Sequence, residues 1–68
     1  MELKDKIKEL RIKNCMTQDQ LAERLNVSRQ TVSKYELGIN EPSIEVLKEM
    51  CVIFDCKIDD LITIDNPV

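Results

Sequence analysis

Sixty-eight residues hold one domain and exclude a second, and a chain this short buries only about 60% of the surface its unfolded form exposes. With 43% hydrophobic residues but only Tyr35 and Phe54 as aromatics, the core must be aliphatic and thin, so pairing with a second copy would help stability. The net charge of −3 argues against a uniformly basic nucleic-acid binder, and three cysteines without a histidine or a C-x-x-C spacing argue against a zinc site. The charge is unevenly spread: residues 1–38 carry eight Lys/Arg against six Asp/Glu, whereas residues 39–68 carry two against seven. A mildly basic front half therefore precedes an acidic back half, and a local basic face is all that phosphate contact requires. An odd cysteine count, with no secretory or membrane-length apolar run, points to a reducing cytoplasm and no membrane association.

Leu3, Ile7 and Leu10 recur at helical spacing and predict a first helix over 2–13, ended by Asn14 in a left-handed conformation. Thr17 followed by Gln20 has the pattern of a capping box, and Met16 stands where it can staple onto Leu21, so a second helix is predicted over 18–25. Its apolar residues Leu21, Ala22 and Leu25 share one face, and Asn26 offers another left-handed stop. Ser28 is the next cap, and Val27 with Val32 repeats the staple spacing, so a third helix follows over 28–36 after a tight turn. That helix buries only Val32 and Tyr35. Arg29, Gln30, Thr31, Ser33 and Lys34 are left as an outward hydrogen-bonding face, and Gly38 ends the run.

After the segment from Gly38 to Pro42, Ser43 caps a fourth helix whose expected core face is Ile44, Leu47, Met50, Cys51 and Phe54, with Val46, Val52 and Ile53 unassigned. A short fifth helix is predicted near 58–63 from Ile58, Leu61 and Ile62, with residues 65–68 frayed. No strand pattern competes. The expected fold class is all-α, a compact five-helix single domain over 1–68.

Two short helices with consecutive caps and a turn of three or four residues make a helix-turn-helix, here at about 17–36. In that motif the first helix crosses the DNA backbone and the second lies in the major groove. The run T-Q-D-Q-L-A-E-R-L-N-V-S-R-Q-T-V-S-K-Y-E-L-G from Thr17 to Gly38 resembles the Cro/phage-repressor (XRE-like) helix-turn-helix family, and the resemblance extends from about Leu3 to Ile62. It implies a lambda-repressor-like domain whose helix 28–36 docks in the major groove of double-stranded DNA.

By position, the resemblance places Gln18 where the family bonds a phosphate and braces the recognition helix. Arg29 and Gln30 match base-reading positions, and bidentate geometry suits Arg to guanine and Gln to adenine; a phosphate contact is the rival role for Arg29. Lys34, one turn after Gln30, matches a further contact position and is a base-reading candidate, though a phosphate is the better target for its point charge. Thr31 is the remaining base-reading candidate, its hydroxyl being equally suited to a local backbone partner. Ser33, the Asn40 side chain and the backbone N–H at Gly38 are the remaining phosphate candidates. Arg11 and Glu36 match positions that form a largely buried ion pair in some phage repressors. Two departures stand out. The segment Leu37-Gly38-Ile39-Asn40-Glu41 lacks the Arg or Lys that the family often places around the glycine. Lys57 and Asp55 replace the usual hydroxyl cap and glycine, which predicts an irregular start to the fifth helix.

One helix-turn-helix reads few base pairs, and the family doubles the reading with a two-fold dimer on half-sites about 34 Å apart. Val52, Ile53, Ile58, Leu61 and Ile64 are the candidate homodimer contacts, and the expected partner is a pseudo-palindromic operator. A repressor acting by occupancy is the first functional reading. The alternative is an antitoxin-like module whose acidic half masks a basic partner protein. An enzyme lacks its parts, with no histidine and no glycine-rich phosphate loop, and no cofactor or small-molecule ligand is expected.

Overall fold

Residues 2–62 are described by the computed structural model, and five helices make up their regular structure. These are α1 (Leu3–Lys13), α2 (Gln18–Leu25), α3 (Arg29–Leu37), α4 (Ile44–Phe54) and α5 (Ile58–Leu61). No strand occurs among the described residues. Short polar side chains start the middle three helices. Thr17 Oγ1 accepts from the Gln20 N–H at 3.1 Å while Gln20 Oε1 accepts from the Thr17 N–H at 2.8 Å, the reciprocal pair of a capping box. Ser28 Oγ accepts from the Thr31 N–H at 3.2 Å, and Ser43 Oγ from the Val46 N–H at 3.3 Å. The outer two helices reverse the direction. At α1 and α5 a carboxylate three residues inside accepts from the capping residue's own N–H, Asp5 from Glu2 at 3.2 Å and Asp60 from Lys57 at 3.0 Å. Helix α5 therefore starts in regular fashion despite lacking a hydroxyl cap, and it ends at Leu61, two residues short of the expected 63.

The first four helices end alike. In each, one residue turns left-handed, its N–H returns to the carbonyl three back, and the next N–H returns to the carbonyl five back. The left-handed residues are Cys15, Asn26, Gly38 and Asp55. The longer returns are Met16 to Arg11 at 3.1 Å, Val27 to Ala22 at 3.0 Å, Ile39 to Lys34 at 3.0 Å and Cys56 to Cys51 at 2.9 Å. This is the Schellman stop, which satisfies carbonyls that a helix end leaves unpaired. One expectation is corrected here: Asn14 is not the left-handed residue, since its φ is −91°. Its backbone N–H still bonds the Leu10 carbonyl at 3.0 Å, its side-chain amide donates to the same oxygen at 2.7 Å, and the left-handed turn falls at Cys15.

Helix α1 packs against α3 and α5, α2 against α3 and α4, and α4 against α5. Ile7, Leu21, Ala22, Leu25, Val32, Tyr35, Leu47, Met50, Phe54 and Leu61 form one core, and Met16 and Val27, the expected staples, pack against it. Each fully buried aliphatic here is worth about 1.5–3 kcal/mol relative to exposure. Two further expectations are corrected. Ile44 is 50% exposed and Val46 packs on the core instead. At roughly 100° per residue the buried face of α4 centres on Met50 and Phe54, which puts Val46 within its edge, Ile44 beyond it and Val52 opposite. Leu61, expected as a dimer contact, is 1% exposed and belongs to the core, so it offers no surface to a second copy.

Candidate nucleic-acid interface

Val32 and Tyr35 anchor α3 by its inner face, and this burial decides which side chains face outward. Arg29, Gln30 and Lys34 are exposed, while Thr31 and Ser33 are half-buried. The three exposed side chains combine two cations with a primary amide, the donor types that meet phosphate oxygens and the edges of guanine and adenine in a major groove. The Ser28 and Thr31 hydroxyl oxygens lie 2.9 Å apart, and the Thr31 N–H is held by the same Ser28 oxygen. Thr31 thus takes the local partner that its residue type allows. Arg29 has a neighbour not anticipated from sequence: its Nε lies 3.6 Å from Asp19 Oδ1, both side chains being more than half exposed. An exposed pair of this kind holds its partners weakly, by about 1 kcal/mol at most.

Beneath this face lies a polar clamp that joins three helices. Arg11 on α1 donates to both carboxylate oxygens of Glu36 on α3, at 2.7 Å and 3.2 Å. Its remaining terminal nitrogen donates to the Met16 carbonyl at 2.7 Å, and Gln18 Nε2, at the start of α2, donates to Glu36 Oε1 at 3.1 Å. The side chains of Arg11 and Glu36 are only 11% and 4% exposed. A two-pronged guanidinium–carboxylate bond has a fixed plane as well as energy, so it sets the angle of α3 against α1 and the start of α2. Gln18 keeps a second amide hydrogen and its carbonyl oxygen, so the group that braces α3 retains donor capacity at the surface.

The segment after α3 is a different case. The N–H groups of Gly38, Ile39 and Asn40 all return to α3 carbonyls, at 3.3 Å to Tyr35 and at 3.0 Å and 3.4 Å to Lys34. The expectation that the Gly38 backbone donates to phosphate is therefore corrected, because the helix stop consumes that donor. Gly38 serves by its φ of 77°, with the Lys4 side chain lying over it. The Asn40 side chain is on the surface. Of the expected dimer contacts, Val52 is 80% exposed, Ile58 is 37% exposed and Ile53 is half-buried, while Ile64 lies outside the described residues. No group of His, Cys, Asp or Glu able to hold a metal occurs among the described residues, and no helix among them is long and apolar enough to cross a membrane.

Known proteins place this architecture. A helix-turn-helix family profile matches residues 7–61. The HTH-type transcriptional activator BcrR of Enterococcus faecalis is 43% identical over 63 residues, which are 93% of this chain but only 31% of that protein. An uncharacterized HTH-type transcriptional regulator of Archaeoglobus fulgidus is 36% identical over 94% of this chain and 90% of its own length, and the regulator YgzD of Bacillus subtilis is 35% identical over 94% and 97%. The crystal structure of a transcriptional regulator from Listeria innocua superposes with a TM-score of 0.89 at 30% identity, over 98% of this chain and 63% of that one. The chain thus spans about a third of the activator and under two thirds of the Listeria protein, with the paired helices α2 and α3 inside the matched region. It belongs to the Cro/C1-type helix-turn-helix family, the family of DNA-binding transcription regulators.

Proposed function

We propose that this protein is a sequence-specific transcription regulator that lays α3 in the major groove of double-stranded DNA, acting as a homodimer on a pseudo-palindromic operator. The observation that carries the reading is the two-sided character of α3: Val32 and Tyr35 fix it to the core while Arg29, Gln30 and Lys34 stand exposed together. In this reading Arg29 and Gln30 address base edges. Lys34, Ser33, Gln18 and Asn40 take phosphates or flanking positions, and Thr31 contributes at the groove through a hydroxyl shared with Ser28. The exposed Val52 and Ile58, with the edge of Ile53, supply the pairing face. Occupying the operator is sufficient to block a polymerase, so repression requires nothing beyond these parts. Activation is the second reading, favoured by the printed function of the Enterococcus relative, though two thirds of that protein lies beyond the match.

Duplexes selected from a random pool, titrated across a salt series, test the proposal. Arg29→Ala and Gln30→Ala are expected to lose about 1–3 kcal/mol on the selected sequence and little on unrelated DNA. Lys34→Ala is expected to weaken all sequences alike and to lower the salt slope by about one. A parent protein that enriches no sequence and shows no salt-dependent binding would overturn the reading.

A further inference from the structure

We propose that Cys51 and Cys56 form an intramolecular dithiol that hydroperoxides oxidise to a disulfide closing the end of α4. The site stands apart from α3 and goes beyond the DNA-binding reading. It follows from how the helix stops. In a Schellman stop the side chain of the residue after the left-handed one frequently packs against the side chain five residues earlier. At the ends of α1, α2 and α3 those pairs are Arg11 with Met16, Ala22 with Val27 and Lys34 with Ile39, whereas at α4 both positions are cysteine.

The backbone bond bounds the distance. With the Cys56 nitrogen 2.9 Å from the Cys51 carbonyl oxygen, standard backbone dimensions place the two Cα atoms at most about 6.8 Å apart, and closer for any bent arrangement. Disulfides span Cα separations of about 4.4–6.8 Å, so the backbone separation at this stop is within the range that the bond accepts. Both residues are half-buried against the core, and both are free thiols. Cys56 also lines an open cleft of about 510 Å³ with Lys6, Lys13 and Asp60, and Cys51 is itself only half-buried, so each thiol is open to solvent on its own side. Burial pushes the Cys56 thiol up to about 11, with the adjacent Cys51 and then Asp60 and Asp55 adding to the effect. Cys56 is thereby kept protonated and is the resolving thiol.

The chemistry balances in two steps. The Cys51 thiolate attacks the hydroperoxide, the O–O bond breaks, and a sulfenic acid forms as the peroxide leaves as an alcohol or water. The Cys56 sulfur then attacks the sulfenic sulfur. The S–O bond breaks, and the departing hydroxide takes the Cys56 proton as water. The hydroperoxide is reduced and the two thiols are oxidised. Cys15, exposed at the end of α1, has no such neighbour in its own Schellman stop, where the paired positions are Arg11 and Met16.

The test uses the full chain carrying Cys15→Asn, which removes the third thiol and suits the left-handed site. The folded protein is treated with hydrogen peroxide, alkylated and cut with trypsin, which leaves both cysteines in the fragment 49–57 between Lys48 and Lys57. The fragment is expected to be lighter by two hydrogens, to take no alkyl label, and to recover both labels after dithiothreitol. Oxidation is expected to leave the thermal midpoint unchanged or higher, because the native geometry accepts the bond. With Cys56→Ser, dimedone is expected to trap a sulfenic acid at Cys51. Oxygen gained at either cysteine, located by fragment-ion sequencing apart from Met50 of the same peptide, uptake of both labels, a chain-to-chain crosslink, or a lowered midpoint would each overturn the proposal.

Discussion

The two ends of the molecule are held by different physics. Around α2 and α3 the helices are registered by directional polar bonds: two hydroxyl caps, and a clamp in which Arg11, Glu36 and Gln18 join three helices through three hydrogen bonds, with a fourth from Arg11 to the Met16 carbonyl. Around α4 and α5 the Ser43 hydroxyl and the Asp60 carboxylate cap their own helices, but helix is registered on helix by apolar packing on Met50, Phe54 and Leu61. Apolar packing is tolerant of angle, whereas a two-pronged ion pair is not. A surface that must match a groove is therefore built over the directional end, and the tolerant end is left for pairing or modification.

The strongest way to break this contrast is to cut the clamp. Arg11→Met keeps the stem of the side chain but leaves Glu36, 4% exposed, without its cation. Stability in urea is expected to fall by about 3–5 kcal/mol, because the cost is that of a stranded buried charge and not of the pair alone. A loss under 1 kcal/mol would reduce the clamp to a surface pair and remove the distinction between the ends. The double change of Arg11 and Glu36 to apolar residues of similar size is expected to recover much of the loss while loosening the orientation of α3. Sequence-specific DNA binding should then suffer more than stability does.

At the other end the matching test is Leu61→Ala. A fully buried leucine in the short α5 is expected to cost about 2–5 kcal/mol, the upper part of the range applying where the site cannot collapse. If the dependence is apolar, Leu61→Met should be nearly neutral, since volume is conserved and no direction is lost. A large loss for the methionine variant would show that α5 is as geometrically constrained as α3.

How far the sequence disclosed each end follows from the same contrast. Capping oxygens act over three residues, so Thr17, Ser28 and Ser43 could be read locally, and the boundaries of α2 followed at once. The buried pair of α3, Val32 and Tyr35, was legible because so few apolar residues compete for that face. Long-range bonds have no local trace: Arg11 and Glu36 are 25 positions apart and were reached only through resemblance, and the Arg29–Asp19 contact was not reached at all. Leu61 was misplaced because spacing in a four-residue helix does not define a face. The stop of α1 was displaced because Asn14 is suited both to the left-handed turn and to bonding a carbonyl, and it took the second role.

The four Schellman stops offer a smaller and cleaner comparison, since the backbone is the same and only the residue differs. Gly38→Ala forces a Cβ into a φ of 77° and to within 2.9 Å of the Lys4 side chain, which can swing away. The expected cost is therefore mostly conformational, about 1–2 kcal/mol. Cys15→Gly relieves the same strain at a φ of 57° and is expected to stabilise by about 1 kcal/mol or less, because the freer unfolded chain offsets part of the gain. Thermal midpoints of the two variants measured side by side check the sign: if both move in one direction, the left-handed turn does not govern either stop.

The smallest effect on stability is expected at Val52, and it separates packing within the chain from pairing between chains. Val52 lies opposite the buried face of α4 and is 80% exposed, so Val52→Asp removes almost no contact inside the monomer and is expected to change its unfolding free energy by no more than about 0.5 kcal/mol. In a homodimer paired through Val52 and Ile58, the same carboxylate is buried against apolar side chains of the second copy without a partner for its charge. Sedimentation equilibrium should then show a shift to monomer, and the concentration dependence of the thermal midpoint should disappear. DNA binding should weaken through lost pairing while an isolated half-site is bound as before. A variant that sediments as the parent does would move the pairing face away from the end of α4 and leave the clamp and its reading face untouched.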